Sequence, residues 1–140
     1  MNMRETFQIV NLALIGGAIY SLIEVLWRGY THWSMGIVGG LCFILLGLLS
    51  KQLTPKFPLY IQAIIGTLLI TFIELISGTI LNLWLELSVW DYSNVPINFL
   101  GQICLPYMLL WLPLSFLAII LYNWLSYQLF SARKPKLRLL

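Results

Sequence analysis

The chain has 140 residues, of which 60% are of the types AVILMFWYC and 9% are Asp, Glu, Lys or Arg, and its formal net charge is +3. Soluble domains are about 45–50% apolar and about 25% charged, and a chain this short keeps much of its surface exposed. The composition therefore excludes a water-soluble enzyme, a disulfide scaffold, a disordered chain and an ordinary DNA-binding domain. Half of the eight basic residues are Arg133, Lys134, Lys136 and Arg138, so the charge marks a tail rather than a groove, and no nucleic-acid partner is expected.

Crossing a hydrocarbon core of about 30 Å takes about 20 apolar residues in a helix. Four stretches meet or approach that length, at about 7–27, 33–50, 59–87 and 104–130. Their continuous apolar runs lack the alternation of a barrel strand, which leaves helices as the spanning structure. The expectation is an all-α, polytopic integral membrane protein of the cell membrane, one transmembrane domain over 1–140 with a basic tail at 131–140. With the N-terminus inside, Arg4, Lys51, Lys56 and the four tail bases face the cytoplasm and only Arg28 lies outside, a bias that predicts both termini in the cytoplasm.

The first span carries Glu24 and no small-x-small cleavage site, so it reads as a retained helix. Along it Gly17, Tyr20, Glu24 and Arg28 fall within an arc of about 80°, and the last three are spaced four apart, as neighbours on one helix face are. The second span holds Gly36, Gly40 and Gly47 on one stripe, which suits close backbone approach in lipid, either within the bundle or at a dimer seam. On the third span Thr67, Thr71, Glu74, Gly78 and Asn82 share another arc of about 80° that should point into the bundle. An ionised side chain near the bilayer centre costs about 2.5–3.5 kcal/mol and needs a partner or a cavity. The economical arrangement sets Arg28 between Glu24 and Glu74, either as a polar outer-half cavity or as an ion cluster that only fixes helix register.

The connection 88–103, SVWDYSNVPINFLGQI, is too polar to cross. Asp91 and Ser93 suit a turn and Pro96 fixes the chain beyond them. Its aromatics, Trp90 and Tyr92, either rest at headgroup level or belong to a loop that folds back over the bundle, with Asn98 and Gln102 as polar contacts. In the fourth span Pro106 and Pro113 should bend the helix, and Tyr122, Trp124 and Tyr127 suit an interfacial belt. Cys42 and Cys104 read as small core residues rather than a metal site or a disulfide; neither metal nor cofactor is expected.

The segments YSLIEVLWRGYTHWSMGIVGG, ELISGTILN and VWDYSNVPINFLGQICLPYMLLW together resemble the ABC-transporter type IV (CmpB-like) family of small multipass proteins. The likeness covers roughly residues 13–115, and WDYS followed by PxNxxGQI is its most specific part. It implies a transport permease and carries over to Tyr20, Glu24, Arg28, His32, Ser34, Gly36, Glu74, Gly78, Trp90, Asp91, Tyr92, Ser93, Pro96, Asn98, Gly101, Gln102 and Trp111. The chain contains no G-x-x-x-x-G-K-[ST] loop, nucleophile elbow or H-E-x-x-H pair, so ATP hydrolysis would fall to a separate chain and no enzyme is expected here.

The residues thus point first to a transport component, alone or as a homo-oligomer, whose cavity is lined by Tyr20, Glu24, Arg28, Glu74, Asn82, Asp91, Tyr92, Ser93, Asn98 and Gln102. A second reading is a non-catalytic module binding lipid or a partner membrane protein. In that case Arg133, Lys134, Lys136 and Arg138 hold anionic headgroups of the bilayer at about 1 kcal/mol each.

Overall fold

A computed structural model describes residues 1–140. Four helices are long and apolar enough to cross a membrane: α1 (Met3–Arg28), α2 (Trp33–Leu53), α3 (Leu59–Gly78) and α4 (Leu105–Phe130). A π-helical turn, Thr79–Trp84, carries α3 onward without a break. The four expected spans are all present, and their ends differ from the expected ones for local reasons. Asn2 and Glu5 form a capping box that starts α1 at Met3: Asn2 Oδ1 accepts from the Glu5 N–H at 2.9 Å, and Glu5 Oε2 accepts from the Asn2 N–H at 3.0 Å. Gly29 ends the helix at φ +83°, a left-handed conformation that glycine takes without strain. His32 caps α2, its Nδ1 accepting from the Ser34 N–H at 3.3 Å.

At two points of the α1–α2 contact backbone meets backbone. A Cβ on Gly40 would stand 2.6 Å from the Ala13 carbonyl oxygen, and one on Gly17 would collide with the carbonyl of Gly36. Lipid supplies no hydrophobic drive for helix association, so close van der Waals approach of this kind supplies much of it. Gly36 and Gly40 thus serve a contact within the chain, while Gly47 gives room to the Tyr122 ring of α4.

Two apolar clusters hold the bundle, one of Leu12, Phe43, Ile44 and Tyr122, the other of Leu46, Leu59, Ile70 and Ile119. Tyr122 is therefore core rather than interfacial belt, at 1% exposure. The helical repeat puts it on the same face as the buried Ser115, Ile119 and Ser126; Trp124 and Tyr127 are exposed. Pro106 also departs from expectation. It lies in the first turn of α4, where a backbone N–H has no helical acceptor, so only Pro113 removes an internal bond.

The fold is all-helical as expected, and its connection 88–103 adds one small hairpin, β1 (Asn98–Phe99) against β2 (Ile103–Cys104), antiparallel with Asn98 opposite Cys104. Leu100 and Gly101 at its turn both have positive φ, 55° and 68°, as a type I′ turn requires. Beyond α4 the tail doubles back. The Leu59 N–H donates to the Arg138 carbonyl at 2.6 Å, supplying an orphan donor of the first turn of α3 with a partner, and Leu137 packs against the second cluster. The side chains of Arg133, Lys134, Lys136 and Arg138 remain exposed.

Candidate functional site

The polar face of α3 does turn inward: Thr67, Thr71, Glu74 and Gly78 are all buried. Both threonine hydroxyls bond back along α3, Thr67 donating to the Ala63 carbonyl at 2.8 Å and Thr71 to that of Thr67 at 2.9 Å, and Thr67 also lies 3.5 Å from the Ser115 hydroxyl of α4. Glu74, at 8% exposure, is left as the group with chemistry. Its Oε1 accepts from the Tyr92 hydroxyl at 2.9 Å and its Oε2 from the Trp111 indole N–H at 3.1 Å. Tyr92 is held for this by stacking on Tyr107, with ring centroids 4.6 Å apart. One turn further on, Gly78 makes the approach of the 85–104 segment feasible, because a Cβ there would stand 2.6 Å from Gln102 Oε1 and 2.9 Å from the Trp90 ring.

The expected sharing of Arg28 between two acids is not what the structure holds. Arg28 pairs with Glu24 alone, Nη2 to Oε1 at 3.1 Å, and this is the one salt bridge in the chain. Thr31 adds its hydroxyl to Glu24 Oε2 at 2.6 Å. The other arm of the guanidinium, Nη1, donates to the Val89 carbonyl at 3.0 Å, and the group lies over the Tyr30 ring at 4.5 Å. Arg28 is the last residue of α1, so its reach is taken up by the connections beside it. Glu74 meets neutral donors instead.

Five more of the expected cavity residues are consumed in shaping the 85–104 segment. Asn82 Nδ2 donates to Gln102 Oε1 at 2.8 Å, and Asn82 Oδ1 accepts from the Val89 N–H at 2.6 Å. The Gln102 carbonyl accepts from the Trp90 indole at 3.0 Å. Asn98 donates to the Val95 carbonyl at 2.9 Å and accepts from the Gly101 N–H at 3.1 Å. Asp91 Oδ1 accepts from the Ser93 N–H at 2.8 Å and from the Ser93 hydroxyl, and these bonds hold its exposed carboxyl below the usual aspartate range.

A cavity of about 500 Å³ lies among the four helices, within the size range of small-molecule sites. It is apolar: 17 of its 21 lining residues are hydrophobic. Of the expected polar lining only Tyr20 and Glu74 reach it, because the other polar groups bond to one another at the end of the bundle. Tyr20 also faces Trp111, with ring centroids 6.0 Å apart, and its hydroxyl approaches Glu24 at 3.5 Å.

Trp111 and Thr31 were missed as partners of the acids. An indole N–H inside a span needs an acceptor, and that of Trp111 finds it in Glu74, a partner that no local spacing names.

Residues 11–139 match the profile of the family described as Putative ABC-transporter type IV, and the chain belongs to that family. Membership and the four apolar helices make it a transport-related, multipass membrane protein. No curated protein and no solved structure gives a significant match.

Proposed function

We propose that the chain is the membrane component of a transport system of the cell membrane, with both termini cytoplasmic and the 85–104 segment on the outer side. The observation that carries this reading is the Glu74 carboxyl, buried within a span, on the wall of the cavity and held only by neutral donors. An acid at that depth is expensive and by default marks a solute or proton path. A solute that engages Glu74 competes with the Tyr92 hydroxyl, and so loosens the hold of the 85–104 segment on α3. Binding and the state of the outer segment are thereby coupled. A second copy of the chain or a separate ATPase is the proposed partner.

Flux through proteoliposomes of the purified protein, with such a partner added where required, tests the reading. Glu74→Gln is expected to abolish transport while the protein still folds, and unchanged flux would reject the role. A cysteine placed at Ala132 should react with an impermeant maleimide only after cells are permeabilised; labelling of intact cells would reverse the orientation.

The exposed bases of the tail favour a second reading, in which Arg133, Lys134, Lys136 and Arg138 hold anionic headgroups. Replacing all four with Gln should then remove co-purifying anionic lipid, read by mass spectrometry.

A further inference from the structure

The walls of the cavity are closed unevenly. Near one end of the bundle α1 and α4 meet through the Trp27 indole N–H, which donates to the Tyr107 hydroxyl at 3.3 Å, and through the Tyr20–Trp111 ring contact. Towards the other they meet through Leu12 and Tyr122 in one apolar cluster, then Phe7 against Phe130 with centroids 6.4 Å apart. Between these contacts Leu117 and Ile120 of α4 line the cavity while standing 60% and 37% exposed, and Ile19 of α1 lines it while partly exposed. A wall residue that is also an outer-surface residue marks a gap, and this gap faces what would be the hydrocarbon of the bilayer.

Charge is distributed just as unevenly. Glu74 is the only carboxyl group in the lining, with no Lys, Arg or His among the lining residues, and the partly buried Arg28 is committed to Glu24. The same lining carries the aromatic rings of Tyr20, Phe43, Trp90, Trp111 and Trp124. Aromatic faces and a lone carboxyl both attract positive charge, and desolvation strengthens each attraction.

We infer that the cavity is a binding site for lipophilic organic cations, bodies of aromatic or alkyl groups around a positive centre, which reach it sideways from the bilayer through the α1–α4 gap and set their charge against Glu74. The inference rests on the transport reading for its site and deepens it by naming the ligand class. The cation replaces neither helix contact. It fills apolar volume, takes the Glu74 carboxylate as its counter-ion, and needs no polar route through the headgroups.

Equilibrium binding of radiolabelled tetraphenylphosphonium to the full chain in phosphatidylcholine nanodiscs, with empty nanodiscs subtracted, tests this. Tetraphenylborate has the same shape and the opposite charge. Saturable binding of the phosphonium, with at least tenfold weaker binding of the borate, is expected. Glu74→Gln should cost tenfold or more in phosphonium affinity. Leu117→Trp, which narrows the gap without touching Glu74, should slow association.

No saturable phosphonium binding by folded wild-type protein, equal binding of the borate, or full affinity in Glu74→Gln would overturn the inference. The comparison of the two ions on the wild type decides it even where a variant fails to fold. Binding without flux would instead defeat the transport reading and leave this site standing. Glu74-dependent flux of another solute, without phosphonium binding, would do the reverse.

Discussion

Tyr92 and Glu74 stand in different parts of the fold, one in the segment between α3 and α4 and one in the middle of a span, yet the tyrosine hydroxyl donates to Glu74 Oε1 at 2.9 Å. The bond is the polar link between that segment and the carboxyl on the cavity wall. Tyr92→Phe leaves one carboxyl oxygen without that donor inside the protein. A loss of about 1–3 kcal/mol in unfolding free energy is expected, measured by denaturant titration in micelles. Faster proteolytic nicking within 85–104 should accompany it.

Arg28 and Glu24 form a second, independent test. Arg28→Leu strands Glu24 with hydroxyl donors alone. The cost should be about 1–3 kcal/mol, below the roughly 3–5 kcal/mol of a fully buried pair, because Arg28 keeps 21% of its side chain exposed. Adding Glu24→Gln should recover part of the loss, and a double-mutant cycle reads the coupling.

Two glycines on one helix should respond differently. A Cβ on Gly40 runs into the Ala13 carbonyl at 2.6 Å, whereas one on Gly36 meets the Ser21 hydroxyl at 3.3 Å. Gly40→Ala must push backbone from backbone and should cost about 1–3 kcal/mol, while Gly36→Ala should fall well below that. Thermal melting of the two variants side by side separates them.

Acid should loosen one turn. The bonds from Ser93 depress the Asp91 carboxyl in the folded protein, so its contribution is present above the unfolded aspartate pKa, roughly 3.9, and is lost as pH falls through the lower folded value. Hydrogen exchange at the Ser93 amide should accelerate over that window relative to other amides of the segment, once the intrinsic pH dependence is removed. Asp91→Asn should abolish the extra acceleration.

The spans were legible in the sequence because lipid leaves a helix no alternative over 20 apolar residues, and the helical repeat alone put Glu74 and Gly78 on the buried face of α3. The spacing of Glu24 and Arg28 likewise gave their ion pair. What the repeat cannot express is partnership across elements. Nothing local to Trp111 says that its indole meets Glu74, and nothing local to Tyr92 says that its segment folds down to reach the same group. The cavity is apolar because the 85–104 segment takes most of the polar residues into its own turns, partnerships that no local spacing expresses.

The hydrogen bond from Leu59 to the Arg138 carbonyl has a practical side. The last turn of sequence behaves like a clasp on the third helix, so shortening the chain before Arg138 would unfasten a span nearly eighty positions upstream. Fusions and affinity handles appended at this end should therefore keep every residue through Arg138, and a deletion series there should show a sharp drop in yield at that position rather than a gradual one.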